Sequence, residues 1–139
     1  MIKIRNYKDS DYEDVITNLK QAYMFNPISD KRETLKRKIK ANPGSIIVAE
    51  VDNKVVGQQF FIEDQWRGFL FRLSIRKQYR KKGIGSLLIK EAEKRLKRKG
   101  VKEIDFYVRE HHFPKLKNYY KKLGYHTYKD KRFLLYKRL

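Results

Sequence analysis

The feature that most constrains the fold of this chain is a change of pattern between residues 67 and 100. Residues 67–75 form a largely apolar run that predicts a β-strand, and residues 80–85 form a basic turn with two glycines. An amphipathic helix is predicted directly afterwards, over residues 84–99, and Gly100 ends it. A strand followed by a helix and a further strand predicts a crossover, which places helices against a sheet.

The basic turn has the composition of an anion-binding site. Glycine lets the backbone approach a ligand closely, because it has no Cβ atom. The N–H groups at the start of a helix lack partners within it, and the helix dipole favours negative charge there. A pyrophosphate suits this arrangement; the alternatives are a plain packing turn and, for Ser86, a helix cap. The predicted site consists of Arg80, Lys81, Lys82, Gly83, Ile84, Gly85 and Ser86.

The remaining sequence divides into further strands and helices. Hydrophobic patterning predicts strands over residues 2–5, 45–51, 54–63, 67–75, 103–108, 125–129 and 132–137. It predicts helices over residues 11–24, 30–41 and 84–99, and a fourth that begins at Pro114 and ends before Gly124. The expected fold class is α+β, a mixed central sheet flanked by helices in the order β-α-α-β-β-β-α-β-α-β-β. A length of 139 residues predicts one domain over residues 1–139.

The charge of the chain is strongly positive and unevenly distributed. The net charge is +19, and residues 71–139 alone contain 23 basic and 6 acidic residues, a net charge of +17. A lysine-rich solvated surface is one explanation. The other is an anionic partner, either a phosphate-bearing cofactor or, in addition, RNA or the ribosome.

The absence of cysteine excludes several kinds of chemistry. Without Cys there is no disulfide, no Cys nucleophile and no Cys-based zinc site, and a cytoplasmic location is expected. No run of about 18 apolar residues occurs, so no membrane span is predicted, and no signal peptide is expected. His111 and His112 are expected in a polar loop before a helix, so no metal site is predicted.

Two motifs occur in order along the chain. The first is Arg80-x-x-Gly83-x-Gly85, and the second is Tyr119-Tyr120-Lys121-Lys122-Leu123-Gly124-Tyr125. The first resembles the acyl-CoA-binding motif of the GNAT acetyltransferase superfamily, and the second resembles its late Tyr-x-x-x-Gly-aromatic segment. The resemblance covers nearly the whole chain. It implies a single GNAT-like domain with acetyl-CoA (coenzyme A) as the acyl donor and no metal.

The resemblance also implies roles for individual residues. Backbone groups of Leu73 and Ile75 would bind the pantetheine arm, and an N–H group there would polarise the thioester carbonyl. Tyr120 matches the family tyrosine that protonates the departing thiolate as a general acid, with a core aromatic as the alternative. Family members often carry an Asn seven residues before this tyrosine, and here the position is Phe113. The contact made by that Asn is therefore in question.

The resemblance implies an N-acetyltransferase in which a primary amine attacks the thioester directly in a ternary complex. The amine is a protein N-terminus, a lysine or a small molecule, and the basic surface favours a neutral or acidic acceptor. The alternatives are a non-catalytic acyl-CoA- or RNA-binding module and transfer of a longer acyl group. Monomer and homodimer are both compatible with the sequence. The general base is left open among Glu63, Asp64, Asp105, Glu110 and water.

Overall fold

The computed structural model describes residues 1–139 and contains five β-strands and four α-helices. The strands are β1 (Lys3–Asn6), β2 (Ile46–Val51), β3 (Lys54–Glu63), β4 (Arg67–Ile75) and β5 (Glu103–Asp105). The helices are α1 (Tyr12–Gln21), α2 (Arg32–Ala41), α3 (Ile84–Arg98) and α4 (Phe113–Lys122). Two compact units make up the chain, Met1–Phe106 and Tyr107–Leu139. No helix is both long enough and apolar enough to cross a membrane.

The first unit is built on one sheet with the strand order β1-β2-β3-β4-β5. The first three pairs of neighbours are antiparallel, and β4 pairs with β5 in parallel, so the sheet is mixed. The turn between β2 and β3 explains their hairpin. Asp52 and Asn53 both adopt positive φ angles, of 50° and 61°, and Asn and Asp tolerate this conformation better than most residues. The mixed sheet flanked by helices confirms the predicted α+β fold class.

Helices cover both faces of the sheet. On one face, Leu19 of α1 and Leu35 of α2 join Phe60 of β3 in a buried apolar cluster. On the other face α3 packs against β2, β3 and β4, and its Leu88 is fully buried. Because helices cover both faces, the centre of β3 is buried on both sides. Its residues form a continuous run of buried positions and do not alternate between buried and exposed.

The ladder between β3 and β4 contains a β-bulge. Gln58 pairs with Ser74 and Phe60 pairs with Phe71, so Gln59 lies opposite two residues instead of one. One of those two, Arg72, has a φ angle of +60°, which is strained for a residue with a side chain. The Gln59 side-chain amide donates to the Phe71 carbonyl at 2.9 Å, a hydrogen bond beside the bulge. A bulge bends the strand that contains it, and this one lies next to the last two residues of β4, Ser74 and Ile75.

The second unit differs from the sequence-based expectation. Strands were expected over residues 125–129 and 132–137, but the chain contains no strand after β5, and the element order therefore ends at α4. These two predictions are wrong. The reason is that alternation alone does not stabilise a strand, which needs a hydrogen-bonded neighbour and a buried face. Residues 126–139 are exposed throughout, including Phe133 and Leu135.

Other predicted boundaries shift by a few residues. The strand expected over 103–108 ends at Asp105, and the helix expected over 11–24 ends at Gln21. Tyr23, just beyond that helix, has a φ angle of 57°, which no α-helix accommodates. The first and third helices are otherwise found where hydrophobic periodicity predicts them.

Candidate functional site

The sheet has an open edge beside the second half of β4. β5 pairs only with Arg67–Phe69, so the later residues of β4 have a strand neighbour on the β3 side alone. The N–H of Arg76 donates to the Val56 carbonyl on β3 at 2.6 Å. Backbone groups alternate in direction along a strand, so those of Ile75 face the open edge. Ile75 and Leu73, which lies in the bulge, are the two positions for which the family resemblance implies pantetheine contacts.

The basic turn connects this edge to α3, and its backbone is left-handed at two positions. The φ angles are +62° at Lys81 and +81° at Gly83. A Cβ atom built at Gly83 would meet no atom within 4 Å. Glycine is therefore favoured at Gly83 by its backbone angle and not by lack of space.

The first turn of α3 has no side-chain cap. Gly83 is the N-cap residue and forms no side-chain hydrogen bond to the helix start. The N–H groups of Ile84 and Gly85 precede the first helical hydrogen bond, which runs from the Leu87 N–H to the Gly83 carbonyl at 3.2 Å. Uncapped N–H groups at a helix start, together with the helix dipole, favour an anion.

Two lysines supply charge beside these N–H groups. Lys81 and Lys82 are exposed, and neither forms an ion pair. The Lys82 ammonium lies 5.7 Å from the centre of the Tyr79 ring, a cation–π contact that leaves its charge uncompensated. The turn therefore presents positive charge without a carboxylate partner, which fits a phosphate group.

Arg80 has a different environment from the one expected for a phosphate ligand. Its Nε donates to the Ile75 carbonyl at 2.9 Å, and its Nη2 donates to the Gln21 carbonyl at 3.3 Å. The Lys77 N–H also donates to the Gln21 side chain, at 2.8 Å. Arg80 thus holds the basic turn against the end of β4 and the last residue of α1. Its predicted phosphate contact remains a prediction.

A buried polar network joins the same end of β4 to α1. Arg76 Nε donates to Asn18 Oδ1 at 2.8 Å, and the Asn18 amide donates to Gln58 Oε1 at 3.0 Å. The Gln58 amide in turn donates to Ser74 Oγ at 3.0 Å. Asp14 completes the network through an ion pair with Arg76 at 3.0 Å. Ser74 and Arg76 flank Ile75, so the network fixes the stretch of β4 that faces the open edge.

The amino-acid sequence alone does not reveal this network, although it contains one signal for it. Asn18 lies between Val15 and Leu19 on the buried face of α1. A polar residue on an apolar helix face needs a buried hydrogen-bond partner. The pattern of α1 therefore predicts a polar partner on the sheet, but not which one.

A second connection holds the bulge in place. Arg72 Nε donates to Asp30 Oδ1 at 3.1 Å, and the Asn26 N–H donates to the other oxygen of Asp30 at 2.7 Å. Asp30 is buried in the segment between α1 and α2.

On the same face of the sheet, the Lys38 ammonium lies 5.2 Å from the centre of the Phe71 ring. Burial lowers the pKa of Lys38 to about 8, another feature that the sequence did not indicate.

Three of the four carboxylates considered as general bases line one cavity. Ile62, Glu63, Asp64, Arg67, Gly68, Phe69 and Asp105 surround this space of about 310 Å³. Each of the three acids already has partners: Glu63 pairs with Lys99 at 3.4 Å, and Asp105 pairs with Arg67. The backbone N–H groups of Arg67 and Trp66 hold the pKa of Asp64 below its ordinary value. The two backbone donors favour the ionised form of Asp64 and weaken it as a base.

The second unit contains the predicted general acid. Tyr120 lies on α4, with its ring 5.1 Å from that of Tyr119 and 6.3 Å from that of Tyr125. Desolvation raises the pKa of Tyr120, and the neighbouring Tyr119 adds to the effect. A phenol is protonated at neutral pH with or without this shift, as a general acid must be.

Other predicted residues of this unit lie around the start of α4. Glu110, His111 and His112 lie in the turn before α4, and Phe113 is the first residue of the helix. Neither histidine belongs to a group of three side chains that could hold a metal ion.

The open strand edge and the cationic turn before the helix are the two features of this α+β protein that suit a phosphate-bearing ligand. The sequence model of the acetyltransferase (GNAT) family matches residues 13–125. The chain belongs to this family, as the two motifs indicated.

Relatives and solved structures agree with this assignment. An acetyltransferase of Pectobacterium atrosepticum is 32% identical over 126 residues, which cover 91% of this chain and 89% of the relative. The PaiA N-acetyltransferase of Thermoplasma acidophilum, solved in complex with coenzyme A, has a TM-score of 0.73 and 25% identity, with 88% of each chain covered. Ard1 of Thermoplasma volcanium has a TM-score of 0.77 and 18% identity, covering 88% of this chain and 81% of that one.

Proposed function

We propose that this protein transfers an acetyl group from acetyl-CoA to a primary amine. The observation that carries the proposal is the turn before α3, where uncapped N–H groups lie beside the unpaired cations Lys81 and Lys82. This donor set fits a pyrophosphate. The coenzyme A complex of a protein that is 25% identical supports the same ligand.

The backbone of β4 has the second role. Acetyl-CoA supplies the activated thioester, and the open edge at Leu73 and Ile75 would hold its pantetheine arm as an added strand. The Ile75 carbonyl already accepts from Arg80, so the N–H of Ile75 and the backbone of Leu73 are the groups left for this contact. An N–H aimed at the thioester oxygen stabilises the charge that develops on it.

Proton transfer would involve Tyr120 and water. We assign Tyr120 as the general acid because it matches the family tyrosine in the Tyr-x-x-x-Gly-aromatic segment, and a phenol is protonated at neutral pH. For the general base we favour water, since Glu63, Asp64 and Asp105 are held by cations or backbone N–H groups. The amine then attacks the thioester directly in a ternary complex, and no residue is acylated.

The charge of the chain restricts the acceptor. A net charge of +19 repels polycations. We therefore expect the amine to belong to an acceptor that is otherwise neutral or acidic. Such an acceptor is a protein N-terminus, a small molecule or a lysine in acidic surroundings.

Titration calorimetry of nucleic-acid-free protein with acetyl-CoA tests this proposal first. We expect saturable micromolar binding, weakened about tenfold or more in Lys81→Gln/Lys82→Gln because two phosphate contacts are lost. Lys54→Gln, an exposed lysine of the β2–β3 hairpin, is the matched control and should bind normally.

An amine screen with detection of released thiol then tests transfer. Absence of acetyl-CoA binding would contradict the whole proposal. Binding without turnover on any amine would indicate a non-catalytic acyl-CoA-binding module, and stronger turnover with longer acyl-CoAs would correct the acyl group.

A further inference from the structure

The exposed face of α3 carries a row of positive charges outside the turn described above. Its members, here called the α3 basic stripe, are Lys90, Lys94, Lys97 and Arg98. They follow one another at spacings of four, three and one residues, so they lie on one side of the helix. All four are exposed.

The charges of the α3 basic stripe have no partners within the protein. None of its four side chains forms an ion pair or a hydrogen bond in the structure. The nearest acidic residues of the helix do not neutralise them. Glu91 accepts from Arg95 Nε at 2.9 Å, and Glu93 is half-buried and has an interaction of its own. The stripe is therefore a patch of uncompensated positive charge.

The fold does not require this arrangement. Like charges three and four residues apart destabilise a helix. The helix dipole favours cations in the last turn, which accounts for Lys97 and Arg98. It does not account for Lys90 and Lys94, which lie in the middle of the helix.

The geometry of the stripe is fixed by the opposite face of α3. Leu88, Ala92 and Leu96 are fully buried there, so the cations keep one orientation. From residue 90 to residue 98 the helix rises about 12 Å. A nucleic-acid duplex presents one negative charge per about 1.7 Å of its axis, so this length offers enough phosphates for all four cations.

The chemistry of the face excludes insertion into a lipid surface. A helix that binds membranes buries an apolar face in the lipid, but the apolar face of α3 lies in the protein core. Only Leu87 among the apolar residues of α3 is exposed, at 42%. The partner must therefore be recognised through charge alone.

We infer that the α3 basic stripe binds the phosphate backbone of a nucleic-acid duplex without reading its bases. This surface is separate from the acetyl-CoA site and does not depend on the proposed transfer reaction. Residues 71–139, which contain the stripe, carry a net charge of +17. A net charge of this sign attracts polyanions.

Fluorescence anisotropy with labelled 20-base-pair RNA and DNA duplexes of mixed sequence tests the inference. The stripe variant is Lys90→Gln/Lys94→Gln, because glutamine keeps the length and helix propensity of lysine without its charge. The matched control is Arg37→Gln/Lys40→Gln, which removes two exposed and equally unpaired cations from α2. Melting temperatures verify that both variants fold.

We expect both duplexes to bind wild type with similar affinity, and binding to weaken steeply as salt increases. The stripe variant should bind at least about tenfold more weakly at 0.1 M salt. The slope of log K against log[salt] should become shallower by about 1.8, at 0.9 for each lost contact. The control variant should keep the wild-type slope.

Three results would overturn the inference. Equal losses in the stripe and control variants would mean that charge over the whole surface, and not α3, attracts the duplex. Wild-type binding that is insensitive to salt would rule out phosphate contacts. Tighter binding of vesicles containing phosphatidylserine than of either duplex, lost in the stripe variant, would identify an anionic membrane as the partner.

Discussion

Arg76 Nε lies 2.8 Å from Asn18 Oδ1, which connects the residue directly after β4 to the middle of α1. Asn18 is fully buried and Arg76 is 8% exposed. A buried guanidinium is tolerated only where its donors find acceptors, and Asn18 and Asp14 provide them here. The end of β4 that faces the open edge is therefore held by α1 as well as by β3.

Replacement of Asn18 should destabilise the protein strongly. Asn18→Leu keeps the side-chain volume but leaves Arg76 Nε and the side-chain oxygen Oε1 of Gln58 buried without their present partner. We expect the free energy of unfolding to fall by about 3 kcal/mol, measured by urea denaturation. Thr17→Val, at the neighbouring exposed position of α1, should change it by less than about 0.5 kcal/mol. Equal effects of the two substitutions would contradict the role of the network.

Gly85→Asp should abolish acetyl-CoA binding without unfolding the protein. The substitution places a carboxylate among the N–H groups of the first turn of α3, where it repels phosphate and competes for the same donors. We expect the Kd to rise at least about a hundredfold, measured by calorimetry. Gly85→Asn, of the same size and uncharged, should weaken binding less. Retained micromolar binding in Gly85→Asp would show that the turn does not bind the pyrophosphate.

Tyr120→Phe should lower kcat by about 10- to 1,000-fold with little change in acetyl-CoA affinity. The phenol oxygen is the only group removed, so the ring packing against Tyr125 is kept. Tyr119→Phe is the control at the adjacent residue and should retain most of its activity. If kcat is unchanged in Tyr120→Phe, another group protonates the thiolate.

Lys38 should make stability depend on pH in the alkaline range. Its pKa is about 8 in the folded protein and 10.5 when unfolded, so between these values the unfolded chain binds more protons. The contribution of Lys38 to stability therefore rises with pH from about 8 to 10.5, by at most about 1.4 kcal/mol per pH unit.

The comparison of Lys38→Met with Lys40→Met isolates this effect. Urea denaturation between pH 7.5 and 9.5 should show a smaller gain in stability for Lys38→Met than for wild type. Lys40 is exposed on the same helix, so Lys40→Met should follow the wild-type curve. Parallel curves for all three proteins would show that Lys38 is solvated as an ordinary lysine.

The parts of the fold that the sequence predicts are those governed by local rules. Asp52 and Asn53 adopt the turn conformation that their side chains favour, and Gly83 adopts the positive φ angle that marks the start of α3. The hairpin, the basic turn and the third helix are therefore found as predicted. The two closing strands were not found, because an alternating pattern cannot supply the neighbour that a strand needs.

The same distinction between local and long-range features applies to the candidate site. The turn lies directly before α3, where the sequence predicts it, because its residues are consecutive; its contact with phosphate stays a prediction. The sequence does not reveal that Arg80 donates to the Ile75 and Gln21 carbonyls, because Gln21 is nearly 60 residues away along the chain. The Asp30–Arg72 pair joins residues 42 apart, and the same limit applies to it.

The contacts of Arg80 have a consequence for protein engineering. The basic turn owes its position to carbonyl groups on β4 and on α1, and not to its own residues alone. A synthetic peptide spanning residues 77–90 would contain every cation and glycine of the motif but would lack the Ile75 and Gln21 acceptors. Grafting the basic turn onto another scaffold therefore requires transplanting the end of α1 with it.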